Sequence, residues 1–170
     1  MKPAKTKINI FIENLYESYN IDEVKIYNNV VKIADYIFEQ KNVMDLSCLA
    51  NEKYSQVFWD IVLTTNEDIH RINKEYRQKD SPTDVITFAI FADSSEEERF
   101  IIDGEIHLGE IVVSLDKIET QAKENNTTFE DELYYIIAHG ILHLLGFDHQ
   151  SEEDYNFMVE VQNKAKAVVK

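Results

Sequence analysis

The sequence predicts an α+β fold: a single domain spanning residues 1–170, with a mixed sheet of about four strands packed against about five helices. Three observations lead there. The 170 residues are 44% apolar, enough for one core, and with only four glycines and two prolines no stretch reads as a linker. Apolar runs of strand length alternate with stretches of helical periodicity. One helical stretch, around Leu133 to Leu145, is apolar on nearly every side, which marks a helix buried at the centre of the fold.

Ile8 to Ile12 has the length of a short strand. Asp22 can cap a helix running to about Lys41. Val24, Tyr27, Val31, Ala34 and Phe38 share one face of it, which Val30, Ile33 and Ile37 widen. Val57 to Leu63 reads as a strand. Thr65-Asn-Glu-Asp68 fits a capping box opening a helix with Ile69, Ile72 and Tyr76 on its apolar side. After Pro82-Thr-Asp84, the run Val85 to Phe91 is expected to be a central strand. Ala92 to Gly104 is acidic and reads as a solvated hairpin connection.

Ile106 to Val113 is the fourth strand, interrupted at Gly109-Glu110. Ser114 can cap a helix through about Asn125 that uses Leu115, Ile118 and Ala122. Thr128-Phe-Glu-Asp131 is a second capping box, opening the central helix. Ser151 begins the last helix, with Phe157, Val161, Ala165 and Val168 on its inner face.

Composition narrows the class. The formal charge of −15 and pI near 4.6 favour solubility and oppose broad nonspecific binding to nucleic acid, DNA included. Cys48 is the only cysteine, so a disulfide within the chain and a multi-cysteine zinc site are both excluded. It reads as a structural thiol, with no histidine or cysteine near it in sequence. The amino terminus lacks a signal-peptide pattern, and no apolar run reaches membrane-spanning length. The expectation is a cytoplasmic protein without a membrane partner.

The chemistry lies in His139-Gly-Ile-Leu-His143-Leu-Leu-Gly146-Phe-Asp-His149, which holds three of the five histidines. His139 and His143 stand four apart, so a helix projects both from one face. Gly146 follows where a left-handed residue ends a helix, and the chain can double back to bring in His149. Two imidazoles in a buried helix need partners. Three of them suit one Zn2+ ion, leaving a fourth position for water, as in catalytic sites.

Zinc lowers the pKa of its bound water to about 7, so such a site can cleave an amide, an ester or a phosphodiester. A zinc peptidase of the HExxH type would carry its general base at position 140, where this chain has glycine. A phosphodiester would benefit from an arginine fork. Arg71, Lys74, Arg77 and Lys79 fall within nine residues, although a solvated helix face running into a loop would look the same.

At these residues the sequence resembles the YbeY family of bacterial endoribonucleases. The histidine motif matches, as does Ile72-Asn-Lys-Glu-Tyr-Arg77-Gln-Lys-Asp-Ser-Pro82-Thr-Asp-Val-Ile-Thr-Phe88, similar to the family segment ending PTDVLSF. Leu108-Gly-Glu-Ile-Val-Val-Ser114 is similar to its LGDIxIS strand. Glu110 replaces the usual aspartate, and Phe147 stands where tyrosine is common.

The resemblance implies a zinc-dependent, single-strand-specific endoribonuclease. It would act in 3′-end maturation of small-subunit (16S) rRNA and in ribosome quality control, with contacts to the small ribosomal subunit. His139, His143 and His149 carry over as zinc ligands and Arg77 as the functional arginine. Two other readings stay open from the residues alone. One is a different metal-dependent hydrolase, such as a peptidase; the other is a non-catalytic assembly factor stabilised by zinc.

Overall fold

A computed structural model describes residues 5–17 and 20–169. Four strands, β1 (Lys7–Asn14), β2 (Gln56–Thr64), β3 (Val85–Phe88) and β4 (Glu105–Ser114), form one sheet in the order β1-β2-β4-β3. β1, β2 and β4 run parallel, and β3 is antiparallel to β4, so the sheet is mixed as expected. Five longer helices are α1 (Glu23–Glu39), α3 (Asn66–Arg77), α5 (Leu115–Asn125), α6 (Phe129–Leu144) and α7 (Glu152–Ala167). Two four-residue helices add to these: α2 (Lys41–Met44) and α4 (Ile90–Asp93). The five expected helices are the five long ones, and the two short helices bring the described residues to seven.

Each long helix starts where a short polar side chain can accept an orphaned N–H. Asp22 accepts from the Lys25 N–H at 2.9 Å. Thr65, Ser114, Thr128 and Ser151 do the same at 3.0–3.3 Å. The inner faces differ from expectation at particular residues. In α1 the stripe centres on Ile26, Val30, Ile33 and Ile37, while Val24 and Tyr27 lie outside. In α7 Met158 is buried with Val161 and Ala165, and Val168 is exposed. Tyr76 of α3 is also exposed and rests edge-on against Phe88.

The run expected to be one strand from Val85 to Phe91 is split. It leaves the sheet at Phe88 and coils into α4, which buries Phe91. The cause is β4. Gly109 has φ +138°, and a Cβ there would stand 1.8 Å from the Phe88 carbonyl oxygen. The exit of β3 crosses directly over this glycine, as strand glycines permit. Nor is β4 interrupted at Gly109-Glu110; it is continuous, with Leu108 as an extra residue opposite the Phe58–Trp59 step of β2. The acidic connection is not plain loop either, since Glu96–Glu98 forms a 3-10 turn.

α6 lies at the centre, against β3, β4, α1, α5 and α7. Nine of its 16 residues are buried, which explains a sequence apolar on nearly all sides. Gly140 is the contact point. A Cβ there would meet Ile111 Cγ2 at 2.8 Å and Cδ1 at 2.9 Å, so β4 presses a side chain, rather than its backbone, into the groove. On the far side of the sheet α3 covers a smaller cluster of Ile69, Ile86 and Val112.

This contact sets an expected outcome. Gly140→Ala should lower stability by about 1–3 kcal/mol through overpacking, read from the urea midpoint. Paired with Ile111→Ala the loss should fall short of the sum of the single changes. Strict additivity would show that the two positions do not compete for space.

Candidate metal centre

Residues of α6 and the turn after it form the centre. His139 and His143 point from one face of the helix, with Nε2 atoms 2.8 Å apart. The helix then stops at Gly146, φ +93°. The Gly146 N–H donates to the His143 carbonyl at 2.9 Å and the Phe147 N–H to that of Leu142 at 3.0 Å, the paired bonds of a Schellman stop. The turned chain carries His149 back over the helix, its ring 5.5 Å from that of His139 and 5.6 Å from that of His143. One ligand atom from each of the three lies within 4.8 Å of the others, so together they could hold a metal ion.

Their surroundings suit that task. Burial, reinforced by His139 and His149, pushes the His143 imidazole down to about 4. Burial also lowers His139, against the opposing pull of a hydrogen bond to Gln162. Both rings are thus held neutral at neutral pH, with lone pairs available to a cation. Asp148 steadies the turn: its carboxylate accepts the Gln150 side-chain N–H at 3.0 Å and the His149 backbone N–H at 2.8 Å. These bonds hold its carboxyl below the usual range.

A cleft of about 450 Å3 opens beside the histidines. His139, His143 and His149 line it on one side, and Arg77 lines it as well. Arg77 is the last residue of α3. Gln78 follows in the left-handed conformation at φ 57° and donates its N–H to the Asn73 carbonyl. Buried Asn73 also donates its side-chain N–H to the Ser81 carbonyl at 2.8 Å, fastening the loop that leads on to β3.

An ordinary surface pairing for Arg77 would be with Asp80. That carboxylate is instead engaged by His70 at 2.7 Å and Lys74 at 3.3 Å. Arg71 pairs with Asp68, away from the cleft lining. Of the four cations clustered in sequence, Arg77 alone reaches the cleft wall.

Several lining residues were not anticipated from sequence. Asp84, Asp93 and Asp148 all face the cleft. Asp84 accepts from the Val85 backbone at 2.7 Å and from Gln121 at 3.1 Å, tying β3 to α5. Gln162 of α7 meets His139 Nδ1 at 3.1 Å. A glutamine among Met158, Val161 and Ala165 on an inner helix face was the available signal, because a buried amide requires a partner. Glu110 does not line this cleft. It borders a groove with Ile72, Tyr76, Phe88 and Ile90, where burial and then Asp60 raise its carboxyl.

Cys48 is half-buried beneath the turn: its N–H donates to the Leu145 carbonyl at 2.9 Å, and its thiol faces the Leu144 carbonyl at 3.7 Å. Burial pushes the thiol up to about 11. Iodoacetamide at pH 8 should therefore label Cys48 at least ten times more slowly in native protein than in urea, by mass spectrometry. Equal rates would mean that the thiolate is freely available.

Comparisons with known proteins converge on one family. The family model described as Endoribonuclease YbeY matches residues 11–169. The Endoribonuclease YbeY of Fusobacterium nucleatum is 42% identical over 154 residues, covering 91% of this chain and 82% of that protein. That of Bacillus subtilis is 35% identical over 159 residues, covering 92% and 94%. In three dimensions the chain is similar to the solution structure of TM1509 from Thermotoga maritima, with TM-score 0.59 and 28% identity over 95% of this chain and 88% of that one. With likeness of this extent in sequence and fold alike, the chain belongs to the Endoribonuclease YbeY family.

Proposed function

We propose that this protein is a zinc-dependent endoribonuclease cutting single-stranded RNA in the 3′-end maturation of small-subunit (16S) rRNA and in ribosome quality control. One observation carries the reading: three histidines that could hold a metal ion and an arginine with no ion-pair partner among the described residues line the same cleft. His139, His143 and His149 would hold the ion, an all-imidazole set that suits zinc. When bound, zinc supplies Lewis acidity and acidifies coordinated water.

The chain's own residues do the rest. Among the described residues Arg77 is the only arginine or lysine lining the cleft, while Asp84, Asp93 and Asp148, which also line it, repel phosphate. A scissile phosphate is therefore held at the Arg77 fork, which offsets the charge that develops as the bond to the leaving oxygen breaks. The charge of −15 gives little general attraction to RNA, whose affinity normally comes from phosphate contacts. Recognition through the small ribosomal subunit supplies what the surface lacks, and the site of action is the cytoplasm. No helix among the described residues is long and apolar enough to cross a membrane. Position 140 weighs against a peptidase of the HExxH type, because it is packed against Ile111 and has no room for a general base.

Two outcomes are expected. His143→Ala should lose stoichiometric zinc and melt at lower temperature, because metal binding is linked to folding; full zinc content would remove the ligand assignment. Arg77→Ala should keep metal and fold yet slow single-turnover cleavage of a single-stranded RNA by about 10²-fold. Arg77→Lys should recover only part of that, retaining charge without the fork. A wild-type rate from Arg77→Ala would take the arginine out of the mechanism.

A further inference from the structure

We infer that Gln162 is a positioning residue for the metal centre: its side-chain carbonyl holds the His139 ring as the Nδ1–H tautomer, leaving Nε2 as the ligating atom. This rests on the metal reading above and brings into the site a residue from another helix. Gln162 is 2% exposed, on the inner face of α7 beside Met158, Val161 and Ala165. An amide stripped of water in such company needs a hydrogen-bond partner, and His139 provides one. Gln162 Oε1 lies 3.1 Å from Nδ1.

The chemistry then has one productive arrangement. A neutral imidazole carries one N–H and one lone pair. If Nδ1 bears the hydrogen, it donates to Gln162 Oε1, and the Nε2 lone pair faces the cluster. Were the amide reversed, its N–H would donate to Nδ1 and the ring hydrogen would move to Nε2. That hydrogen would then point at His143 Nε2, 2.8 Å away, and no lone pair would be left for a cation. Metal-ligating histidines are commonly fixed in this way through the second nitrogen, most often by a carboxylate or a backbone carbonyl. Here the acceptor is neutral. It orients the ring without adding charge to a cleft already lined by three aspartates.

The plainer alternative is that this hydrogen bond only fastens α7 to α6. Under that reading Gln162→Leu changes stability and nothing else. Under ours, Gln162→Leu in the full-length protein weakens zinc binding about 10–100-fold, by competition with a chromophoric chelator. Gln162→Glu restores affinity to wild-type level or above, because a carboxylate accepts the same Nδ1–H. Long-range 1H–15N spectra of metal-free protein provide a second readout: His139 should be the Nδ1–H tautomer in wild type and lose that preference in Gln162→Leu.

Wild-type zinc affinity in Gln162→Leu, or affinity as poor in Gln162→Glu, would overturn the inference while leaving the metal site standing. An Nε2–H tautomer in wild type would overturn it too. Absence of zinc uptake by wild type itself would bring down the metal reading and this inference together.

Discussion

Because Gly140 has no side chain, Ile111 of β4 fills the space where one would stand, and α6 is drawn against the sheet at the residue next to His139. The other features of the site follow from that contact. A helix held so closely, and buried on most sides, has no freedom to turn about its axis. The directions of His139 and His143 are therefore set by core packing, not by surface choice. The same burial strips water from the two rings and keeps them uncharged. Packing, orientation and protonation state share one cause.

The electrostatic character of the cleft is less simple. It belongs to a strongly acidic chain, and three of its lining side chains are aspartates. Two of the three are occupied structurally, Asp84 by β3 and α5 and Asp148 by the turn that carries His149. Their hydrogen bonds fix loops on either side of the histidines. Against that background Arg77 stands out through position rather than through number of charges. A field-driven nucleic-acid binder would spread cations over a face; this protein places one at the end of a helix, beside the histidines.

What could be read in the sequence followed physical range. Helix starts were legible because a cap is a local event involving residues three apart, as at Thr65 and Thr128. The histidine trio was legible because a four-residue spacing followed by a glycine stop dictates geometry over a few ångströms. The early end of β3 was hidden, since Val85 to Phe91 looks uniform and the cause is a glycine over twenty residues later in β4. The inner face of α1 was misplaced by one step, because apolar residues surround most of that helix and its neighbours β1, α6 and α7 decide which are covered. Gln162 and Asp84 escaped for the same reason: their roles exist only across elements distant in sequence.

The order of these parts along the chain has a consequence for synthesis. All four strands, with α1 through α5, precede His139, and the turn bearing His149 comes later still. A growing chain thus possesses its entire sheet, and Arg77 with it, before its first site histidine has been made. Gln162, which meets His139, emerges last of the residues around the centre. A polypeptide emerging from a ribosome in this order is a scaffold first. The histidine trio is among the last parts laid down, and α7 then packs against α6 beside it.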